Sequence, residues 1–254
     1  MNIITYIRMD FWRNFRNFGN TFFVVGLPTA LFIFFGVNME WSDAPVNEGN
    51  VSSWIMIAMA VYGAATATTA LAGSAAVELQ QGWGRQLALT AMPHGMFVVA
   101  KAVIALSMAV LPVLVLFLVG FFTTSDMPWG TWILTGVLAV VGSLPFAIYG
   151  LAIGLSFRSD AAVGAASGIL VIFGFLGNAF FPLEGALLDV GRLTPMYGPV
   201  ALARYPLTEG ELFGTMGALG VSDPLWMILL NILAWSAVFG TACLLLRRRV
   251  TARR

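Results

Sequence analysis

The segment 78–93, ELQQGWGRQLALTAMP, is a polar interruption between two long apolar runs. Gly82 and Pro93 are expected to break helical structure at its two ends, because both residues are unfavourable inside helices. The residues between them predict a short amphipathic helix with Leu87 and Leu89 as its apolar side chains. Gly84 lies inside this helix and should weaken it by about 1 kcal/mol. We therefore expect a compact polar helix held against a membrane surface.

The composition of the whole chain is that of a membrane protein. Of 254 residues, 59% are hydrophobic and 10% are charged, whereas soluble domains carry about 25% charged residues. The net charge of +1 argues against nucleic acid as a partner. The single cysteine, Cys243, excludes an internal disulfide and a cysteine-based metal site.

Six apolar runs are long enough to cross a bilayer, since a spanning helix needs about 20 residues. They are 20–38, 52–77, 97–122, 131–156, 161–181 and 225–246. Prolines inside three of the runs should kink the helices, and Gly150–Gly154 and Gly164–Gly168 have the spacing that allows helices to approach closely. We predict an all-α membrane protein in which 1–19 form a separate element, 20–254 form the six-span domain and 78–95 form the connection between spans two and three.

The N-terminal segment 3–18 predicts an amphipathic helix in the headgroup region. Its apolar stripe comprises Ile4, Ile7, Phe11, Phe15 and Phe18, and its polar face comprises Asp10, Arg13, Arg16 and Asn17. An interfacial helix would bury the aromatic side chains and turn the arginines toward lipid phosphate. The alternative is that the segment extends the first span into water, which is less favourable for a segment carrying three arginines in nine residues.

The distribution of charge orients the spans. If both termini lie in the cytoplasm, the inner segments carry eleven basic and three acidic residues, and the outer segments carry two basic and nine acidic residues. The positive-inside rule therefore predicts cytoplasmic termini and a cytoplasmic segment 78–95. The third outer segment, 182–224, is half apolar and rich in proline, so we expect short re-entrant helices there.

Several classes of activity lack the residues they need. The sequence contains no phosphate-binding loop, and its only lysine is Lys101, which could reach lipid phosphate instead. The only histidine, His94, is expected to be a solvated loop residue. The spans contain almost no ionisable groups, which argues against an ion-coupled transporter or a channel. Mildly polar spans suit an apolar or amphipathic substrate, and the energy must then come from another chain.

Segment 78–101 resembles the type-two ABC transporter permeases, the membrane subunits of many bacterial drug, antibiotic and polysaccharide exporters. Their second connection commonly reads Glu-Arg-x-x-Gly-[Thr/Trp]-x-[Glu/Arg]-Gln-Leu-x-x-Thr-Pro, followed by a lysine that Lys101 matches. The residues that fit are Glu78, Gly82, Trp83, Arg85, Gln86, Leu87, Leu89 and Thr90. Leu79 and Ala91 depart from the pattern, in place of an arginine and a proline.

A second motif supports the same resemblance. The run 180–184, FFPLE, followed by 192–195, RLTP, looks like the family pattern at the outer end of span five. The resemblance implies that Pro182, Leu183 and Glu184 begin an outer re-entrant pair, and that these three residues and Phe181 are candidates for an outer gate. Glu184 would either gate the outer exit or cap a short helix, since an acid suits the first helical turn.

The resemblance further implies a function and partners. The chain would be the permease subunit of an ATP-driven exporter in the bacterial plasma membrane, would form a dimer with a second copy or a paralogue, and would bind no cofactor. Two copies of a separate ATPase subunit would bind ATP and Mg²⁺ and push on 82–90, with Glu78 and Arg85 as polar contacts. The N-terminal helix, with Phe11, Arg13, Phe15 and Arg16, would be the elbow helix. The alternative function is a permease-like subunit of a sensor or immunity complex that transports nothing.

Overall fold

The computed structural model describes residues 3–83, 94–157, 159–214 and 217–251, and 79% of the structure is helical. Five helices in this part of the chain are long and apolar enough to cross a membrane: Phe18–Val37, Val51–Gly82, Val99–Phe121, Trp129–Phe157 and Leu225–Leu246. Asp160–Leu176 is a shorter apolar helix. The prediction of a mostly helical membrane protein is confirmed.

The helices carry the following labels in chain order: α1 (Ile3–Phe15), α2 (Phe18–Val37), α3 (Val51–Glu78), α4 (His94–Phe121), α5 (Trp129–Gly142), α6 (Leu144–Phe157), α7 (Asp160–Leu176), α8 (Gly185–Arg192), α9 (Tyr197–Thr208) and α10 (Leu225–Thr251). Helix α2 contains π-helical turns at Phe22–Gly26 and Ile33–Val37. Two antiparallel strand pairs, absent from the all-α prediction, complete the fold: β1 (Pro45–Val46) with β2 (Gly49–Asn50), and β3 (Glu211–Gly214) with β4 (Gly217–Ser222).

Helix α3 lies at the centre of the structure, and 94% of the residues in its most apolar stretch are buried. It is apolar on every face, which is the pattern of a helix surrounded by other helices. Asn50 begins it, because the Asn50 side-chain oxygen accepts hydrogen bonds from the amide and hydroxyl of Ser53, each at 3.0 Å. A π-helical turn at Leu79–Trp83 follows it, with Gly82 in the left-handed region at φ 95°. Glycine adopts this conformation at little cost, so the helix ends here.

Helices α3 and α6 approach closely through glycine. A β-carbon on Gly150 would overlap the backbone of Thr69, and one on Gly154 would overlap the backbone of Gly73. The hydroxyl of Thr69 also donates a hydrogen bond of 3.2 Å to the carbonyl of Phe146, next to the break between α5 and α6. The predicted close approach at Gly150–Gly154 therefore joins α6 to the central helix.

We expect Gly150→Ala to lower the free energy of unfolding by about 2 kcal/mol, because the added methyl group forces two packed backbones apart. Gly168→Ala is the matched control, since a β-carbon on Gly168 meets no described atom within 4 Å. Thermal unfolding of both variants in detergent measures the difference. Equal losses at the two positions would contradict the close packing of α6 on α3.

The chain turns sharply after α7, five residues before the predicted end of the fifth span. The amide of Gly177 donates a 2.7 Å hydrogen bond to the carbonyl of Phe173, and Asn178 follows in the left-handed region at φ 59°. Asparagine tolerates this conformation and can end a helix. The Asn178 side chain accepts a 2.9 Å hydrogen bond from the amide of Leu183. Residues 177–184 therefore form a braced turn that leads into α8.

Candidate functional site

A partly buried cluster of four charges joins α1, α3 and α4. The Arg13 Nη2 atom lies 2.7 Å from Asp10 Oδ1 and 2.6 Å from Glu78 Oε1. The Lys101 Nζ atom lies 2.9 Å from Asp10 Oδ2 and 2.7 Å from Glu78 Oε2. Each cation thus bridges both acids, and each of the four carboxylate oxygens has its own partner. We call Asp10, Arg13, Glu78 and Lys101 the charge ring.

The burial of the charge ring differs from one side to the other. The side chains of Asp10 and Lys101 are 4% and 11% exposed, whereas that of Arg13 is 59% exposed. Buried charges are tolerated when each is paired and hydrogen-bonded. Burial opposes the charge of Arg13, but the hydrogen bond from Arg13 to Glu78 and the charge of Asp10 raise the pKa of Arg13 above its ordinary value. The charge ring fixes α1 to the ends of α3 and α4, on either side of segment 84–93.

Two sequence-based expectations for the charge ring are wrong. Asp10 does not lie on a water-facing surface, because it is 3% exposed and faces α4. Lys101 does not extend to lipid phosphate, because its ammonium group lies between two carboxylates. An acid on an interfacial helix is a signal that could have indicated the cluster, since such an acid needs a cation where water is scarce.

Only part of the predicted apolar stripe of the N-terminal helix is exposed. Ile7 and Phe11 pack against a buried cluster formed with α2, α3 and α4. Ile4 and Phe18 are exposed at 69% and 83%, and Phe15 is exposed at the edge. The rings of Phe11 and Phe15 stack with their centroids 6.2 Å apart. Of the predicted elbow residues, Arg13 lies in the charge ring, and Arg16 is exposed.

A lateral cleft of about 670 Å³ opens beside the charge ring. Its walls are the segment 13–23, one face of α3 from Thr66 to Glu78, and the first half of α7. Polar lining residues include Asn17, Asn20, Thr66, Ser74 and Ser167, and Gly164 and Gly168 leave the α7 wall open. The predicted close approach at Gly164–Gly168 is therefore not made with any described residue. A cleft of this volume can hold a drug-sized molecule.

The outer candidate residues lie in the turn after α7. The ring of Phe181 meets that of Phe35 in α2 at a centroid distance of 4.7 Å, and both rings line a small aromatic pocket with Pro182. Leu183 is buried. Glu184 is the residue before α8, and its carboxylate makes no capping hydrogen bond to that helix.

Arg204 is a functional candidate that sequence reasoning missed. It is 3% exposed in α9, and its guanidinium group donates hydrogen bonds to the carbonyls of Trp54, Asn178 and Ala179 at 2.9, 2.6 and 3.2 Å. The group also lies 3.2 Å from the centre of the Trp54 ring. Burial lowers the pKa of Arg204 well below its ordinary value. This side chain ties α9 to the start of α3 and to the turn that carries the outer candidates.

A second polar cluster holds the remainder of the outer segment. The Arg192 Nη2 atom lies 2.6 Å from Asp223 Oδ1, and the Tyr197 hydroxyl donates a hydrogen bond to the same carboxylate. Burial and the neighbouring carboxylate raise the pKa of Tyr197. Asn231 of α10 donates a 2.8 Å hydrogen bond to the carbonyl of Arg192. These contacts connect α8, α9 and α10.

The predicted partner-binding segment falls mostly outside the described residues. Glu78 and Gly82 are placed as given above, and the backbone of Trp83 ends the π-helical turn. The remaining predicted residues, Arg85, Gln86, Leu87, Leu89 and Thr90, lie outside the described ranges. The segment leaves α3 just after Glu78 and enters α4 at His94, seven residues before Lys101.

The chain is 24% identical over 242 residues to a protein of Bacillus subtilis (strain 168) that is named "Putative transport permease YvfS". The similarity covers 92% of this chain and 93% of YvfS. No protein-family model matches the chain. The similarity confirms the predicted resemblance to a membrane permease, and the apolar helices agree with a multi-pass membrane protein.

Proposed function

We propose that this chain is the permease subunit of an ATP-driven exporter, powered by a separate ATPase subunit. The observation that carries the proposal is the similarity to a transport permease along 92% of the chain. The lateral cleft supports it, because an exporter needs a place where substrate can enter from the cytoplasm or the inner leaflet. The substrate would be hydrophobic or amphipathic, such as a drug, an antibiotic or a lipid-like compound.

The proposed arrangement has six spans, with both termini in the cytoplasm of a bacterium and the protein in its plasma membrane. Helix α1 is the elbow helix, α5 and α6 together form span four, α7 forms span five, and α8 and α9 form the outer re-entrant pair. The permease works as a dimer of two copies or of two paralogues. ATP and Mg²⁺ bind to the ATPase partners, and this chain holds neither.

Coupling would pass through the two ends of segment 84–93. A push on the coupling helix 82–90 reaches the end of α3 through the turn Leu79–Trp83, and reaches α4 just after Pro93. The charge ring connects the same helix ends to α1, so the elbow helix would move with them. The outer turn that carries Phe181 and Glu184 is held by Arg204, which transmits movement of α9 to the aromatic pocket.

The test of this function is co-purification with a candidate ABC ATPase subunit, followed by measurement of ATP hydrolysis in liposomes. We expect a stable complex whose hydrolysis increases with transported substrate. A chain that binds no ATPase subunit would overturn the proposal. A complex that binds the ATPase but shows neither substrate-stimulated hydrolysis nor movement of substrate across the liposome membrane would instead favour a subunit of a sensor or immunity complex.

We expect Arg85→Glu to leave insertion into the membrane intact and to reduce transport at least about tenfold, because reversing one charge-assisted contact costs about 1.5–3 kcal/mol. ATP hydrolysis by the complex should continue without transport. Arg85→Lys keeps the charge and is the control. Unchanged transport by Arg85→Glu would exclude this residue from the coupling contact.

A further inference from the structure

The deep part of the lateral cleft lacks charge. Thr66 and Glu78 lie about three turns apart on α3, which corresponds to roughly 18 Å of depth. Between these two positions, the described lining residues carry hydroxyl or amide groups, apolar side chains or no side chain, as at Ser74, Asn20 and Gly168. Asp160 lies at the same end as Glu78, where α7 begins, and its side chain is exposed.

Two of the three charges at the mouth are already paired. Arg13 and Glu78 line the cleft, but both belong to the charge ring, and both oxygens of Glu78 are paired. A charged headgroup that entered the deep part would lose water without gaining an opposite charge, which is costly. A neutral headgroup avoids this cost if the cleft provides hydrogen bonds.

The lateral cleft does provide neutral hydrogen-bonding groups. The side chains of Asn20 and Ser74 line it and make no hydrogen bond with any described residue. The Asn17 oxygen accepts a hydrogen bond from the amide of Asn20, which leaves the NH₂ group of Asn17 available. Phe23 and Leu71 supply an apolar wall beside these groups. Neutral donors and acceptors next to an apolar wall match a molecule with a hydroxyl-rich headgroup and an apolar tail.

We propose that the lateral cleft binds a neutral, hydroxyl-rich amphiphile, with Asn20 and Ser74 as hydrogen-bonding residues for its headgroup. This inference rests on the proposed function and narrows its substrate class. The chemical model of such a ligand is an alkyl glycoside. The apolar tail lies against Phe23 and Leu71, and the headgroup hydroxyls replace their hydrogen bonds to water with bonds to the two side chains.

The experiment uses the full chain in lipid nanodiscs. The probe is dodecyl maltoside that carries a photoreactive diazirine in its alkyl tail. Labelling of α3 and α7 peptides is measured by mass spectrometry as the probe concentration rises. Probes with the same tail and a trimethylammonium or a sulfate headgroup are compared. We expect saturable labelling by the maltoside probe, with half-saturation about fivefold higher in Ser74→Ala and in Asn20→Leu, which corresponds to about 1 kcal/mol for each lost hydrogen bond. Ser107→Ala, in an exposed serine of α4 outside the cleft, should change nothing.

Each outcome decides the inference. Saturable maltoside labelling that weakens in Ser74→Ala supports it. Tighter saturation by either charged probe, half-saturation in Ser74→Ala and Asn20→Leu that is unchanged from the parent protein, or labelling that never saturates would overturn it. The assay needs no ATPase, so failure here would leave the permease function standing, whereas failure to bind an ATPase would leave this result unchanged.

Discussion

Lys101→Met is expected to lower the free energy of unfolding by about 3–5 kcal/mol, because it leaves two acids without a shared cation. Asp10 is the more affected acid, since its side chain is 4% exposed and keeps only the bond to Arg13. Methionine resembles lysine in length and removes the charge with little loss of packing. Thermal unfolding of the purified chain in detergent measures the change.

The matched control for Lys101→Met removes the acid as well. Lys101→Met with Asp10→Asn leaves Arg13 and Glu78 as one balanced pair, so we expect it to recover most of the lost stability. Arg8→Gln, at an exposed arginine for which the described residues provide no ion pair, should change stability by less than about 0.5 kcal/mol. A Lys101→Met protein as stable as the parent would show that the charge ring contributes little.

Arg204→Met is the second large effect, with an expected loss on the order of 3 kcal/mol. The substitution leaves the carbonyls of Trp54, Asn178 and Ala179 without the donors that the guanidinium group provides. The relief of burying a charge offsets part of this loss. Because Arg204 also lies over the Trp54 ring, we expect the tryptophan fluorescence of the native protein to shift as well.

Arg204→Lys separates geometry from charge. Lysine keeps a positive charge but cannot present a planar set of donors to three carbonyls, so we expect it to recover less than half of the loss. Unfolding temperature and native-state fluorescence are measured together for both variants. If lysine restored full stability, charge alone would account for the role of Arg204.

Much of the helical scaffold could be predicted from the sequence because each feature is local. Helix α3 is apolar on every face, and its end coincides with Gly82, whose backbone needs the left-handed region. The contact of α6 with α3 follows the glycine spacing at Gly150. The end of α7 could not be predicted, because Phe180 and Phe181 are as apolar as residues inside a span. The turn at Asn178 depends on the hydrogen bond from the amide of Leu183, which the sequence alone does not reveal.

The candidate site was less predictable because its parts are distant in the sequence. Glu78 and Lys101 were identified separately, but their common contact with Asp10 depends on how α1 packs. Arg204 occurs in the segment predicted to form short re-entrant helices, but its three carbonyl partners belong to two other parts of the fold, which the sequence does not bring together. Tertiary packing also decides whether a glycine pair is covered. The pair Gly150–Gly154 packs against α3, whereas a β-carbon on Gly168 meets no described atom within 4 Å.

The charge ring also has a consequence for how the chain is made. Asp10 and Lys101 are 91 residues apart, and synthesis at about 5–20 residues per second separates their appearance by roughly 5–20 s. During that time α1 has no cation from α4 to neutralise Asp10. The first helix therefore reaches its final position only after α3 and α4 have entered the membrane, and the N-terminal element is among the later parts of the protein to assemble.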